Sequence, residues 1–304
     1  MNAEQSYAEA IRRVSASQRL LSLTGLTLTR LPELPDMLEI LTCYNCPLTS
    51  LPSLPSSLRT LGIGDTQIQS LPERLPTSLK HINCYRTPLI TLPELPDSIE
   101  GINCDETLIT SLPESLPQNM LSLSVSNTQI STLPVLPETL SSLYCSNTKI
   151  SVLPSLPPRL STLVCIGTDI SSIPPLPDSV RVLECKNTRV KVLPALPGGI
   201  EYLNISQTPI CELPAEFPAS LGFLCCKGGI LPDILSTETP QEYLTRVHAF
   251  QRNVQAIKVA LAERESRRRI VKRCKEIKER LMAATWHPDR VIDWCDPRAF
   301  DYED

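Results

Sequence analysis

Apolar and polar residues alternate over short stretches of most of the chain, and the same stretch recurs about every twenty residues. Two copies, Leu58–Ile68 and Leu140–Ile150, read Leu-x-x-Leu-x-apolar-x-x-Thr-x-Ile, and the other copies vary this pattern. Residues at alternating positions of a strand point to opposite faces of a sheet. The pattern therefore predicts one short strand in each copy, with one face buried and the other facing solvent.

A second motif, Leu-Pro-x-Leu-Pro, separates these strands. Consecutive motifs begin 20 or 21 residues apart, and three of them are one residue longer; they begin at Leu31, Leu51, Leu71, Leu92, Leu112, Leu133, Leu153, Ile173, Leu193 and Leu213. Two prolines three residues apart remove amide donors and restrict the preceding residues to extended conformations, so the motif cannot be helical. Each copy is predicted to be a strand, a turn and an extended return path resembling polyproline II.

Such a copy cannot bury its own apolar face, whereas stacked copies bury it in one continuous core. The motifs resemble leucine-rich repeats at the short end of that class, and the proline motif resembles bacterial type III effectors of the YopM and IpaH kind. The resemblance covers roughly residues 18–235. It implies an α/β solenoid shaped as a horseshoe, with short parallel strands on its concave side and extended chain on its convex side.

Two positions depart from the family's pattern. The ninth position of the strand and turn, usually asparagine in that family, is threonine in eight copies: Thr66, Thr87, Thr107, Thr128, Thr148, Thr168, Thr188 and Thr208. We expect their hydroxyls to bond nearby backbone groups. The sixth position, usually aliphatic, is cysteine in seven copies: Cys43, Cys84, Cys104, Cys145, Cys165, Cys185 and Cys226. Single cysteines one copy apart lack the clustered spacing of a zinc site, so we expect small buried hydrophobes.

Both ends of the chain differ from the repeats. Three segments are predicted: a capping helix over 1–17, the solenoid over 18–235, and a helical segment with an acidic tail over 236–304. Tyr7, Ile11 and Val14 have the spacing of one helix face, and a helix there would cover the raw edge of the first repeat.

The composition changes near residue 236, since only three of the 29 prolines lie beyond residue 235. The sequence Thr239–Glu242 has the form of a helix start, with threonine as the cap, proline next and glutamate three after the cap. Apolar residues then continue at helical spacing. They predict either one long helix or a hairpin broken near Glu265 and Ser266.

Charge and composition restrict the class of protein. The formal net charge is −4 and the pI is about 5.6, which excludes a basic nucleic-acid binder for the chain as a whole. The first residues have neither a basic region nor an apolar run, so we expect no signal peptide, and no stretch approaches a membrane span. The twelve cysteines are then expected to be free thiols in the cytoplasm, which would be the host cytoplasm for a protein of a pathogen or virus.

Candidate binding residues lie where strand positions should face solvent. They are Tyr44, Tyr85, Asp105, Tyr144, Tyr202 and Phe223. Exposed aromatic residues are frequent anchors of protein interfaces. The alternative is that tyrosine is there for its strand propensity alone. The resemblance implies a protein partner on the concave face, and we expect no small-molecule substrate, cofactor or metal.

Residues 263–280 contain nine Lys or Arg and four Glu. They could bind nucleic acid or an acidic membrane, act as a nuclear import signal, or simply form a solvated helix face. The last sixteen residues contain six Asp or Glu and two Arg, so this tail could fold back on the basic helix. Trp286 and Trp294 are the only tryptophans, and we expect them to form a docking element. The tail is similar to short tails of repeat proteins from giant DNA viruses.

No catalytic arrangement is predicted. His81 stands alone among the repeats, and His287 and Cys295 have no third partner in the sequence. Effectors of the IpaH kind carry a large ubiquitin-ligase domain with a Cys-x-Asp motif, but only about 70 residues follow the repeats, and Cys295 directly precedes Asp296. The sequence therefore favours a non-enzymatic, effector-like protein-binding module. The alternatives are a structural component of an assembly such as a virion, and an adaptor in ubiquitination.

Overall fold

The computed structural model describes residues 2–16, 19–235 and 237–285, with the backbone only for Lys278 and residues 281–285. Helix α1 spans Ala3–Ala16 and helix α2 spans Pro240–Thr285. Between them, eleven parallel strands pair in chain order. These are β1 (Leu20–Ser22), β2 (Ile40–Thr42), β3 (Thr60–Gly62), β4 (His81–Asn83), β5 (Gly101–Asn103), β6 (Ser122–Ser124), β7 (Ser142–Tyr144), β8 (Thr162–Val164), β9 (Val182–Glu184), β10 (Tyr202–Asn204) and β11 (Phe223–Cys225).

Each strand belongs to one coil of the solenoid, and coils are numbered here by their strands. In coil 3, the apolar residues of the pattern, Leu58, Leu61, Ile63 and Ile68, are fully buried. Strands pair in register, so the middle residue of each strand lies beside the middle residue of the next, as Leu61 does beside Leu41 and Ile82. The stacking of equivalent apolar residues forms one core along the solenoid, which confirms the leucine-rich-repeat fold.

The threonines at the ninth position are buried, and each hydroxyl bonds within its own coil. Thr66 Oγ1 donates to the carbonyl of Ile63 at 2.8 Å, and the other seven make the same bond to the residue three positions earlier. The predicted bonding to nearby backbone is confirmed. These bonds close the turn after the strand in eight of the eleven coils.

The seven cysteines at the sixth position are almost completely buried, as predicted. Burial raises the pKa of both Cys145 and Cys185 to about 12. Cys84 and Cys104 lie in adjacent coils with their sulfur atoms 3.3 Å apart. The hydrogen bond between Cys104 and Cys84 is the main cause that raises the pKa of Cys104 well above its ordinary value, and burial is the second cause. The thiols of Cys104, Cys145 and Cys185 are therefore protonated at neutral pH. The buried cysteines pack as small apolar groups.

Hydroxyl groups bridge neighbouring coils at the residues that precede several of the strands, and they form a row along the solenoid. Ser57 Oγ donates to the carbonyl oxygens of Asp36 and Leu38, both at 2.7 Å. Equivalent pairs of contacts are made by Ser78, Thr139, Ser179 and Ser220. The row satisfies carbonyl groups that the short strands leave unpaired.

Helix α1 lies against coil 1, but it buries a different face from the one that its large apolar residues indicate. Ser6 and Ala10 are fully buried, whereas Ile11 is 47% exposed and Tyr7 is half-buried. Ser6 Oγ bonds Thr27 Oγ1 at 2.7 Å. Small residues allow the helix to approach the coil closely, so the large ones remain at the rim.

The chain divides into two compact units, Met1–Thr245 and Arg246–Asp304. Thr239 and Glu242 form the predicted capping box, with the Thr239 amide donating to Glu242 Oε2 at 2.8 Å. Within the first unit, Tyr243 is buried and its hydroxyl donates to the carbonyl of Pro232 at 2.8 Å. Helix α2 is continuous from Pro240 to Thr285, so the hairpin alternative is wrong.

Candidate functional site

The strand residues that flank each buried position form the concave face, because in-register pairing aligns them in rows across the sheet. The predicted Tyr202 and Phe223 are first strand residues, and Tyr144 is a last strand residue. Tyr44, Tyr85 and Asp105 lie two positions after the last strand residue of their coils, in a third row. All six predicted residues are half-buried except Phe223, which is 46% exposed.

Tyr44 and Tyr85 cover a gap that two glycines leave in coil 3. The Tyr44 ring lies over Gly62 and the Tyr85 ring lies over Gly64, so a Cβ atom at either glycine would collide with the ring above it. The ring centroids are 6.0 Å apart and the planes are inclined by 36°. The two rings are therefore held against the sheet as one aromatic surface, here called the N-terminal pair.

Polar neighbours fix the hydroxyl groups of this pair. A hydrogen bond to Asp65 is the main cause that raises the pKa of Tyr85. Burial raises the pKa of Tyr44, and a hydrogen bond to Asn83 opposes that shift. Both tyrosines are neutral at physiological pH. They present the ring to solvent while the hydroxyl is satisfied by the protein.

A second aromatic pair lies at the other end of the sheet. Tyr202 and Phe223 are register partners in β10 and β11, and their rings stack with centroids 4.4 Å apart and planes inclined by 7°. Burial raises the pKa of Tyr202, and the nearby Glu184 carboxylate adds to this effect. We call these two residues the C-terminal pair.

Tyr144 borders a shallow depression of about 460 Å³ between the two pairs. Its lining is mostly small or polar, and includes His81, Gly101, Asn103, Ser122 and Ser124. Short side chains on three neighbouring strands lower this part of the concave face. Tyr144 therefore forms one wall of the depression and His81 forms part of the rim.

Asp105 joins two coils. Its Oδ1 accepts hydrogen bonds from Ser124 Oγ and from the Ser126 amide, both at 2.7 Å. Its own amide donates to Asn103 Oδ1 at 3.0 Å. This carboxylate is thus fixed in orientation at the edge of the depression, and its role in binding a partner stays a prediction.

The remaining candidate residues are not assembled into a site. His81 Nε2 lies 3.8 Å from Glu100 Oε2, and Glu100 is bonded to Lys80 at 2.5 Å. Among the residues that the structure describes, no three His, Cys, Asp or Glu side chains are grouped as metal ligands. In the same residues no helix has the length and apolar character of a membrane span. Trp286, Trp294, His287 and Cys295 lie outside the described residues.

Sequence reasoning found the tyrosines but not their pairing. The pairs depend on contacts between different positions of neighbouring coils, such as Tyr44 in coil 2 over Gly62 in coil 3. The available signal was the occurrence of two glycines, Gly62 and Gly64, at solvent-facing positions of one coil, between two coils that each carry a tyrosine.

No protein-family profile matches the chain, and no curated protein matches it. Among solved structures, YopM from Yersinia enterocolitica WA-314 is 28% identical with a TM-score of 0.60, over 73% of this chain and 59% of that one. YopM from Yersinia pestis, a leucine-rich effector protein, is 28% identical with a TM-score of 0.67, over 73% of this chain and 70% of that one. This chain thus matches less than two thirds of the length of the Y. enterocolitica protein.

A more distant structure shares the fold. The functional domain of InlJ from Listeria monocytogenes, which includes a cysteine ladder, is 19% identical with a TM-score of 0.51, over 68% of this chain and 58% of that one. The comparisons therefore agree on a leucine-rich-repeat solenoid with repeats similar to those of bacterial effector proteins.

Proposed function

We propose that this chain, a leucine-rich-repeat protein with repeats similar to those of the YopM effectors, is an interaction module that binds a protein partner on its concave face. The observation that carries this proposal is the presence of two aromatic pairs on one face, each held in place by the sheet. Tyrosine and other large aromatic residues dominate the binding energy of many protein interfaces.

The rigidity of the face supports the same function. The N-terminal pair is fixed by ring contacts over glycine, and the C-terminal pair is stacked between neighbouring strands. Side chains that are already ordered lose little conformational entropy when a partner binds. A half-buried, ordered aromatic surface is therefore better suited to recognition than to the packing of the solenoid alone.

The proposed role needs no catalysis by this chain, and it fits a reducing compartment such as the cytoplasm. The seven buried cysteines are free thiols that substitute for aliphatic residues. Free thiols persist where the cellular redox buffer keeps them reduced.

The proposal can be tested by site-specific photocrosslinking in cells that contain the natural partner. A photoreactive amino acid at Tyr85 or at Phe223 should crosslink to the same protein. The matched control is Val135, which is 86% exposed and belongs to the proline motif rather than to a strand. The proposal is wrong if Val135 gives the same crosslinks as the two concave positions.

A binding measurement with the purified partner then tests the aromatic anchors. Tyr85→Ala combined with Tyr144→Ala should weaken binding by about tenfold or more, because each truncation removes a buried ring from the interface. Val135→Ala should leave the affinity unchanged. If the double variant retains full affinity and an unchanged melting temperature, these tyrosines are not anchors.

A further inference from the structure

A strongly basic segment of helix α2 is not used by the proposed function. Residues 264–280 contain nine Lys or Arg and three Glu, a net charge of +6 in a chain whose total is −4. The backbone of the whole segment is helical. Its described side chains are exposed, apart from the half-buried Ile277, and they include Ile270, of which 62% is exposed.

Three of the four apolar residues of this segment lie on one face, and the fourth, the exposed Val271, lies about 60° beyond the edge of their arc. With about 100° between successive residues of a helix, Ile270, Cys274 and Ile277 fall within an arc of roughly 60°. Arg273 lies about 40° beyond one edge of this arc, and Arg267 lies about 20° beyond the other edge. The stripe is thus flanked by a guanidinium group on each side. Glu263, outside the segment and about two turns before Ile270, lies on the same face as the stripe.

The acidic residues lie on the far face. Glu265, Glu276 and Glu279 are all more than about 120° from the centre of the apolar stripe. Two ion pairs are described within the segment, Lys272 with Glu276 and Lys275 with Glu279, both at 4.0 Å. Both pairs are on this far face. The carboxylates therefore reduce the positive charge on the face opposite the apolar stripe. The arginines that flank the stripe can then bind external anions.

We propose that residues 264–280 form an interfacial helix that lies along an anionic lipid bilayer. Ile270, Cys274 and Ile277 enter the boundary between headgroups and acyl chains, and Arg267 and Arg273 contact lipid phosphates on the two sides. Two contributions strengthen the binding of such a helix to a membrane. Its apolar stripe is removed from water, and each cation near the anionic surface adds electrostatic attraction.

The position of the stripe favours a bilayer over a nucleic acid. A helix that binds a nucleic-acid duplex needs Lys and Arg at the centre of the face that contacts the phosphates. In this segment Ile270 and Ile277 lie at the centre between the flanking arginines. A bilayer accepts apolar side chains at the centre and cations at the edges, because long Arg side chains reach up to the headgroups.

Vesicle flotation of the full chain tests the proposal, with vesicles of phosphatidylcholine alone or with about 30% phosphatidylserine. We expect binding to the anionic vesicles and little binding to the neutral ones. Arg267→Gln with Arg273→Gln should reduce the binding constant by about tenfold or more. Arg268→Gln with Lys272→Gln removes the same charge from the far face, and it should reduce the constant by about threefold at most. Equal losses in the two double variants overturn the proposed orientation.

A third variant and a competitor test the apolar contribution. Ile270→Gln with Ile277→Gln keeps the charge, and it should weaken binding to anionic vesicles by about fivefold or more while the helical circular dichroism signal is retained. A labelled duplex DNA or RNA should bind more weakly than the vesicles and should not respond to this variant. Tighter binding of the nucleic acid, or vesicle binding that is unaffected by loss of the isoleucines, overturns the proposal.

Discussion

At the scale of single residues, the turn after each strand requires one backbone conformation. Eight non-glycine residues have φ between 52° and 57°, and Gly25, Gly167 and Gly228 occupy the same position in their coils with φ between 65° and 75°. In this left-handed region a Cβ atom crowds the following carbonyl oxygen, so glycine is favoured. Among the other residues Asn and Asp tolerate the region best, because their short polar side chains can hydrogen-bond locally. Five of the eight are Asn or Asp, so strain is concentrated at Arg86, Glu106 and Gln207.

Gly25 allows this backbone strain to be measured without a steric clash. A Cβ atom at Gly25 would meet nothing within 4 Å, while φ there is +75°. Gly25→Ala should therefore lower the free energy of unfolding by about 1 kcal/mol. Chemical denaturation monitored by circular dichroism would give this value.

The control for Gly25 is Gly198→Ala. Its added Cβ atom also meets nothing within 4 Å, and its φ lies outside the left-handed region. This variant should be neutral or slightly stabilising, because alanine restricts the unfolded chain more than glycine does. Equal destabilisation by both substitutions would show that φ is not the cause.

The sequence pattern predicts which positions of a coil are buried. It does not predict the hydrogen-bond partners of the polar side chains at those positions. The register alone placed Cys145 and Thr148 inside. The acceptor of the Thr148 hydroxyl, the carbonyl of Cys145 in the same coil, depends on the turn geometry that the left-handed residue Asn147 creates. That geometry is not apparent in a pattern of apolar positions.

At the scale of the repeating element, coil 9 replaces one step of the hydroxyl row with hydrogen bonds inside the coil. Gly199 occupies the position where Ser179 and Ser220 bridge two coils. Arg181 satisfies the two carbonyl groups that a hydroxyl at position 199 would reach, since its Nη1 donates to the carbonyl oxygens of Asp178 at 2.8 Å and Val180 at 3.2 Å, both in its own coil. A Cβ atom at Gly199 would collide with this guanidinium group. The small residue and the arginine are therefore coupled.

A double-mutant cycle tests this coupling. Arg181→Ala should destabilise the protein by about 1 kcal/mol, because two carbonyl groups lose a donor. Gly199→Ser alone should also destabilise it, since the new side chain competes for space with Arg181. The double variant should recover most of the loss, because the serine can make the bridge seen elsewhere. Additive losses in thermal or chemical denaturation would contradict the proposed substitution.

Helix α2 illustrates what an element's sequence leaves undecided. The capping box at Thr239 fixes where the helix begins, and it was predicted. Whether the helix continues past Glu265 and Ser266 could not be predicted, since both residues are tolerated in a helix and neither Gly nor Pro interrupts the segment.

At the scale of the whole solenoid, the row of buried thiols links stability to pH. The pKa of Cys145 and that of Cys185 are raised by burial from 9.0 to about 12. Their contribution to stability is complete below pH 9, where the thiols of the unfolded chain are protonated. It is lost as the pH rises from 9 towards 12, because the unfolded chain then ionises and the folded one does not.

The expected result is cooperative unfolding at alkaline pH, with each of these thiols costing about 1.4 kcal/mol at pH 10. Cys145→Val with Cys185→Val should move the alkaline midpoint to higher pH. Valine fits this position, since Val125 occupies it in coil 6 and is fully buried. The control is Cys211→Val at an exposed thiol, which should leave the midpoint unchanged. A midpoint that is the same in all three proteins would show that buried thiols do not determine the transition.

The outward positions of the strands followed from the alternation of residues, whereas the aromatic pairs formed there did not. The N-terminal pair exists only because Tyr44 and Tyr85 lean from two coils over the glycines of the coil between them. Such a contact joins residues about 40 positions apart in the chain and has no signature in any single repeat.

The identical three-residue pairing of every strand with the next has a genetic consequence. Unequal recombination between repeats of the gene can add or remove one coil without changing the register of the others. Each added coil would separate the two aromatic pairs by about 4.8 Å more. Descendants of one ancestral gene could thus differ in the spacing between their two aromatic anchors, and select partners of different length with the same side chains.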